Sequence, residues 1–594
     1  VKLKLFAGLK TSFAFTPRAM RMVWKSSPRG SILLGALTLA AAVVPLGIAW
    51  VGKAIIDGVV AGDVPVTVRY VLVELGLIIL QAGIQRGLGL TRQLIGARLG
   101  IDINVQILEK ALTLGLPQFE DSETYDQLTR ARREASVRPL SVVNETFQLA
   151  QNALTLAGYI TLLLSFSGWA VLALAVAGIP ATIAEMRFSQ AAFRLRNWRS
   201  PESRRLTYLE YVLANDSHAK EVKLFGLGPL FLGRYRGLGE TMFREDRALA
   251  IKRAGWAYGL SLLAVGAFYG AYVAMAIQTA RGAISIGQMT LYVMAFRQGQ
   301  QAFQSVLAAI GGMYEDNLYM SNLFKYLAIE TNRVHAELPP VRDEKGIRFE
   351  GVGFRYPGQE KWALRDINLF IPAGQSLALV GHNGAGKTTF IKLLTRLYEP
   401  TEGRILLDGR DLRSWDDEVL RSRIGVIFQD FNEYQLTVRE NVGVGSSDHM
   451  AEDLRVRRAV HAGGATEVIA GLKGGLESPL GKWFHEGVEL SGGQWQKIAL
   501  SRAFMREEAD ILVLDEPTAA LDAEAEHQIF ERFRTLAKGR TAILISHRFP
   551  TVRMADRIIV VEGGHIQEEG THDELVAAGA RYAHLFALQA QGYQ

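Results

Sequence analysis

From Ser31 to Ile56 the chain reads SILLGALTLAAAVVPLGIAWVGKAII, with Lys53 as its sole charge. A stretch of that length suits a helix crossing about 30 Å of hydrocarbon. Inside a bilayer every backbone N–H and C=O must be paired within the protein, which restricts the fold to helices or closed barrels. Pro45 is tolerable in such a helix, because a neighbouring helix can satisfy the carbonyl that it frees.

The apolar character is not spread evenly. Over 594 residues the hydrophobic share is 49%, the charged share 21% and the mean hydropathy +0.10, yet apolar residues crowd into the first 330 positions. After a short loop at Asp57–Pro65, a second span begins near Val66 and continues with helical spacing to about Leu114. At 1.5 Å per residue such a helix is roughly 70 Å long and must project beyond the bilayer. Further spans are expected over Leu140–Phe166, over Trp169–Phe188 (continuing past Leu206), over Trp256–Thr279 and from Ile286 to Leu327. Segments 91–140 and 187–253 are rich in Lys and Arg, whereas the turns at Ser165–Gly168 and Arg281–Ser285 are nearly bare. That asymmetry assigns the basic segments to the cytosol. Two breaks in the cytosolic extensions, Leu116–Arg132 and Asn215–Leu227, read as connecting loops or as tips that dock a soluble domain.

The net charge is +6, and no acidic residue precedes Asp57. Lys2, Lys4, Lys10, Arg18, Arg21, Lys25 and Arg29 all come before the first span. A basic, acid-free start fits an organelle transit peptide or an in-plane amphipathic helix. Pro17 and Pro28, bracketing a short helix, favour the second, with Phe13, Phe15, Met20, Val23 and Trp24 dipping into the leaflet. No cleavable secretory signal is read here. Nucleic acid is not expected as a partner, since no arginine-rich stripe with interleaved aromatics occurs. With no cysteine, disulfides, thiol catalysis and cysteine-held metals are excluded.

Polar side chains inside membrane spans are costly and need a use. Asn144, Gln148, Gln151 and Asn152 share one face of the third span; Arg297, Gln301 and Gln304 share one face of the sixth, beside Gln298 and Gln300. Two readings stand: a polar substrate cavity, or interhelical hydrogen bonds that hold the bundle together. Glu74 and Glu185 pose the same question.

Gly381–Thr388 reads GHNGAGKT, between an apolar strand (SLALV, Ser376–Val380) and a helical run (TFIKLLTRLY, Thr389–Tyr398). This fits the phosphate loop G-x-x-x-x-G-K-[ST]. Its backbone N–H groups close on phosphate oxygens, its lysine reaches the outer phosphates, and its hydroxyl serves Mg²⁺. Tyr356, ending an alternating strand (IRFEGVGFRY), could stack on an adenine. Gln429 follows the strand IGVIF, placed to reach Mg²⁺ or the attacking water. LSGGQ at Leu490–Gln494 opens a helix, a second anion site of N–H groups and a serine hydroxyl. ILVLD at Ile511–Asp515 ends in a carboxylate suited to Mg²⁺; Glu516 after it could orient or deprotonate water. His547 ends a further strand, ILISH.

The order and spacing of these motifs closely resemble the ATP-binding cassette exporters of the half-transporter type, over nearly the whole chain. The resemblance implies an all-α six-helix transmembrane domain with long cytosolic extensions, followed by an α/β P-loop NTPase domain. The expected divisions are an N-terminal elbow (1–30), the membrane domain (31–328), a linker (329–341) and the cassette (342–594). It implies ATP and Mg²⁺ as ligands. Tyr356 is then the adenine aromatic, and Gly381, Asn383, Gly384, Ala385, Gly386, Lys387, Thr388 and Thr389 cradle phosphates. Thr388, Gln429 and Asp515 serve the metal, Glu516 is the catalytic base and His547 the switch histidine. Ser491, Gly492, Gly493 and Gln494 contact the ATP of a partner chain, and Asp522 is the D-loop residue of the nucleotide-binding set. The two breaks match coupling helices, and His485–Glu486–Gly487 the exporter X-loop. One departure is Ala519–Ala520 before Leu521–Asp522, where a serine is frequent.

With Glu516 and LSGGQ both intact, two identical chains would make two competent sites, which favours a homodimer over a heterodimer. The resemblance implies an inner or plasma membrane location with a cytoplasmic ATPase, and export of an amphipathic lipid, peptide or drug-like substrate. The alternative in the same architecture is import of a siderophore-like or other hydrophilic compound. A chromosome-maintenance ATPase is excluded, since only about 130 residues separate Lys387 from Asp515 and they show no heptads. A fused thiol peptidase is excluded by the missing cysteines.

Overall fold

The computed structural model describes residues 15–121, 124, 128, 138–330, 344–516, 531, 533–535, 537–546 and 548–591. They divide into two compact units, one drawn from Val1–Thr113 and Ser122–Glu330, the other from Leu114–Asp121 and Thr331–Gln594.

The first unit is helical throughout: α1 (Thr16–Ser26), α2 (Pro28–Val60) and α3 (Val64–Thr113). The short α4 (Leu116–Glu120) belongs to the second unit. The first unit resumes with α5 (Arg138–Leu164), α6 (Gly168–Trp198), α7 (Ser200–Ala214), α8 (Asp216–Leu224), α9 (Gly228–Ala280) and α10 (Ile286–Leu327). The break expected near Asn215 is a helix-to-helix corner, where the Asn215 side chain accepts the Ser217 N–H at 3.0 Å and caps α8. Most of the other break lies outside the described residues, as does the linker.

Burial in this unit follows helical spacing. Along α3 the buried residues are Ile84, Leu88, Thr91, Ile95, Leu99, Ile103 and Ile107, steps of three and four that mark one stripe. The opposite face exposes Leu72, Ile79, Leu80 and Leu94, which suits a lipid surround. Where α2 meets α5, a Cβ on Gly158 would come within 2.3 Å of Leu46, so glycine permits the close approach. Among the described residues five helices are long and apolar enough to cross a membrane. The helix α10 is not among them, because its core carries Arg297 and five glutamines from Gln288 to Gln304.

One expectation about α1 needs correction. Val23 does not dip outward: it is 1% exposed and, with Thr16 and Ala19, forms the seat of α1 on the bundle. Phe15 also turns inward, stacked on Phe324 at 5.2 Å. Trp24 does face out, 52% exposed, and Phe13 lies outside the described residues.

The second unit has two sheets. An antiparallel sheet runs β2–β1–β4–β5 (Leu364–Pro372, Gly346–Phe354, Glu402–Leu407, Arg410–Asp411). A six-stranded sheet runs β10–β9–β3–β8–β7–β6, with β3 at Ser376–Val380, β6 at Ile424–Ile427, β7 at Ile511–Asp515 and β8 at Thr541–Ile545. Its strands are parallel except β10 (His565–Gly570), which is antiparallel to β9 (Arg557–Glu562). Strands buried on both faces read as continuous apolar runs, as β7 and β8 do. The helix α11 (Lys387–Leu394) is part of a core fed by both sheets; Phe390 stacks on Phe349 of β1 at 4.3 Å. A helical lobe includes α12 (Val438–Gly443), α13 (Asp453–Ala462) and α14 (Gly492–Phe504), joined by a cluster that contains Val438, Val456, Trp495 and Ile498.

Candidate functional site

The loop Gly381–Thr388 hangs between β3 and α11, so its geometry is set by elements that are themselves buried. Gly386 occupies the N-cap of α11 at φ 109°, a conformation that L side chains rarely adopt, and a Cβ there would meet the Ala363 carbonyl at 2.6 Å. No side chain caps α11, which leaves its first N–H groups and the positive end of its dipole for an anion. Asn383, Gly384 and Thr388 are exposed, Ala385 and Thr389 buried. Lys387 is 6% exposed, and its ammonium donates to the carbonyls of Gly381 at 2.6 Å and His382 at 3.2 Å. Burial lowers its pKa, while the charges of Glu516 and Asp515 act to raise it.

Asp515 ends β7, 1% exposed, and neither carboxylate oxygen accepts a hydrogen bond. Its pKa is pushed up to about 6, chiefly by burial and further by Glu516; Thr388 and Lys387 pull the other way without meeting an oxygen at hydrogen-bonding geometry. Two orphaned carboxylate oxygens beside a threonine hydroxyl are a hard oxygen donor set, which fits Mg²⁺. Glu516 has φ 48°, left-handed for a residue with a side chain, and its N–H donates to Ile545 of β8 at 3.0 Å. Strain of this kind persists only where the surroundings over-determine it, and such residues cluster at functional sites.

Tyr356 sits over the same helix: its hydroxyl is 3.0 Å from Thr389 Oγ1, and the Lys392 ammonium lies 5.4 Å from its ring centre. Gln429 follows β6 and is exposed. Ser491 caps α14 reciprocally: its Oγ accepts the Gln494 N–H at 3.4 Å and the Gln494 side chain accepts the Ser491 N–H at 2.9 Å. Ser491 and Gly492 are exposed, with Gly493 and Gln494 half-buried. His547 and Asp522 lie outside the described residues.

In the helical unit the expected cavity residues separate. Gln151 and Gln301 line one pocket of about 280 Å³, together with Asn152, Gln298 and two residues of α3 that the sequence reading passed over, Gln81 and Gln85. Both are spaced four apart, and that polar pair in an otherwise apolar run was the available signal. Pro45 lines the same pocket; Thr155 donates to the Ala42 carbonyl at 3.3 Å, next to the Ala41 carbonyl that Pro45 leaves without its helical N–H. Gln304 lines a different cavity, of about 220 Å³, beside the paired Glu185 and Arg253. Arg297 and Gln148 are exposed on their helices, and Asn144 is half-buried with its amide oxygen unpaired.

Residues 364–519, which span the phosphate loop, the α14 cap and β7, match the family model described as "ABC transporter". The subtilin transport ATP-binding protein SpaT of Bacillus subtilis is 34% identical over 80% of this chain and 78% of its own. This chain belongs to the ABC transporter family. An ATP-dependent lipid A-core flippase of Alkalilimnicola ehrlichii is 31% identical over 84% of this chain and 83% of its own. A solved bacterial Atm1-family ABC exporter with ATP bound superposes with a TM-score of 0.76 at 24% identity, over 94% of this chain and 97% of that one, a likeness of fold. As an ABC transporter the chain is an integral membrane protein that couples ATP hydrolysis to transport.

Proposed function

We propose that two copies of this chain form an exporter in a bacterial inner membrane, with the cassettes in the cytoplasm and an amphipathic cargo. The observation that carries the reading is that one cassette holds both a phosphate loop with its carboxylates and an outward-facing LSGGQ cap. Ser491 and Gly492 of the cap are exposed, open to the nucleotide of a second cassette, which would supply the missing half of each site. The flippase relative acts on a lipid by its name, which favours a lipid-like cargo.

The chain's own residues divide the work. The N–H groups around Gly386 and the Lys387 ammonium bind the outer phosphates of ATP. Asp515 and Thr388, with Gln429, would hold Mg²⁺, which neutralises charge on the transferred phosphoryl group. Glu516 orients the water and accepts its proton. Tyr356 offers its ring to the base, and the partner's signature serine closes the site from the other side.

The test is the native mass of the Glu516→Gln variant with ATP, alongside directional transport of a fluorescent phospholipid in proteoliposomes. Two chains carrying two nucleotides support the homodimer; a lone chain overturns it. Movement of the lipid away from the cassette side supports export, and accumulation towards it overturns export.

A further inference from the structure

We propose that α1 and the adjoining flanks of α3 and α10 form a binding site for the phosphate headgroup of an anionic lipid. The site is separate from the transport pathway and rests on the membrane reading above.

The three faces of α1 have different chemistry. Thr16, Ala19 and Val23 are buried against the bundle. Arg18, Arg21 and Lys25, at steps of three and four, make a continuous exposed basic ridge. Pro17, Met20 and Trp24 fill the sector between, with Trp24 exposed. A helix with an aromatic sector beside a cationic ridge is built to lie at a membrane surface. Its depth agrees: α2 has 33 residues, about 50 Å, so the Pro28 end that joins α1 stands outside a hydrocarbon layer of about 30 Å.

Beside the ridge is a pocket of about 460 Å³, within the range of roughly 300–1,000 Å³ common for small-molecule sites. Arg18, Arg21 and Lys25 line one side, Asp102, Gln106 and Phe324 the other. The lone acid is already engaged: Asp102 accepts the Ser26 hydroxyl and pairs with Arg98 at 3.3 Å. The Arg18 guanidinium lies 5.4 Å from the Phe324 ring centre, held by its face. Among the described residues Arg21 and Lys25 have no hydrogen-bond or ion-pair partner. Three cations on one ridge repel each other unless an anion sits among them. A phosphodiester supplies that charge, and the apolar surfaces of Met22, Leu99 and Phe324 in the pocket wall suit the glycerol and upper acyl chain that a free phosphate lacks.

The full-length protein in detergent would be titrated with short-chain phosphatidylglycerol, short-chain phosphatidylcholine and inorganic phosphate in parallel, with retention read by native mass spectrometry. Phosphatidylglycerol should be retained in preference to phosphatidylcholine, and the Arg21→Gln/Lys25→Gln variant should weaken it on the order of thirtyfold. The charge-keeping Arg21→Lys/Lys25→Arg variant should restore binding, which separates a charged site from a folding defect. Equal retention of the two lipids, an unaffected Gln variant or no rescue by the charge-keeping variant would overturn the site. Displacement of the lipid by equimolar inorganic phosphate would overturn its assignment to a lipid. Because the readout is lipid retention, failure leaves the ATPase and export reading untouched.

Discussion

The carboxylate of Glu120 accepts hydrogen bonds from the Tyr398 hydroxyl and from Lys392 Nζ, the latter at 3.2 Å. Glu120 closes α4, a short helix from the first part of the chain that belongs to the cassette unit. Burial first, then the bond to Glu120, raises the Tyr398 pKa. Lys392 is on α11 and its ammonium faces the rings of Tyr356 and Tyr398 at 5.4 and 5.6 Å. A carboxylate from the membrane half of the sequence is thus tied to the phosphate-loop helix and to the proposed adenine aromatic.

Glu120→Ala is therefore expected to cut the link without removing the nucleotide site. ATP binding and basal hydrolysis should stay within a few-fold of wild type, while transport per ATP falls by about tenfold, as for loss of a coupling free energy of about 1–3 kcal/mol. Parallel assays of ATPase and lipid movement in one proteoliposome preparation measure the ratio; an unchanged ratio would exclude a coupling role.

Glu516→Gln removes the base and keeps the shape. Hydrolysis is expected to fall by about 10²–10⁴-fold, the span typical of general acid–base groups, with ATP affinity preserved. Near-normal turnover would require another base.

Asp515→Asn tests the burial of an unpaired carboxylate, and its sign is opposite to that of most paired acids. The folded-state pKa, about 6, lies above the ordinary 3.8, so the folded chain binds the proton more tightly than the unfolded one. The resulting penalty is absent below about pH 4, grows as pH rises, and is complete above about pH 6. Without Mg²⁺ or nucleotide the Asn variant should be more stable than wild type at pH 7.5 by up to about 3 kcal/mol and indistinguishable from it near pH 4. Thermal melts across that window decide the point, and a less stable Asn variant at pH 7.5 would show that the anion is welcome there.

Gln301→Leu fills one wall of the polar pocket with hydrocarbon, and Arg297→Ala removes a cation that lines neither cavity. If the pocket receives cargo, Gln301→Leu should change substrate-stimulated ATPase several-fold with basal ATPase unchanged. Arg297→Ala should do the same if its exposed guanidinium faces a path completed by the second chain. Equal effects on basal and stimulated rates would return either residue to a structural role.

The strand–loop–helix at Gly381, the cap that opens α14 and the end of β7 were legible because GHNGAGKT, LSGGQ and ILVLDE are contiguous runs whose local structure depends on neighbours in sequence. The long helices were legible for a related reason, since hydropathy is a local average. Glu120 gave no such signal: its partners are nearly three hundred residues away, and the short α4 has no periodicity to read. The inward turn of Val23 was missed because hydrophobicity alone does not distinguish lipid from protein as the apolar neighbour. Gln81 and Gln85 sit in a run whose average is apolar, and the pocket that they share with residues of α5 and α10 forms only in three dimensions. The left-handed backbone of Glu516 has no counterpart in composition at all.

The ammonium of Lys387, resting on the carbonyls of Gly381 and His382, makes the loop its own sentry. An anion that draws the ammonium off these two carbonyls has to replace both acceptors within a buried site. A polyphosphate chain has oxygens enough to serve the ammonium and the α11 N–H groups together, whereas a single small anion offers fewer. Selectivity for nucleotide over the phosphate abundant in any cell would then begin in the loop itself, ahead of any contact with the base.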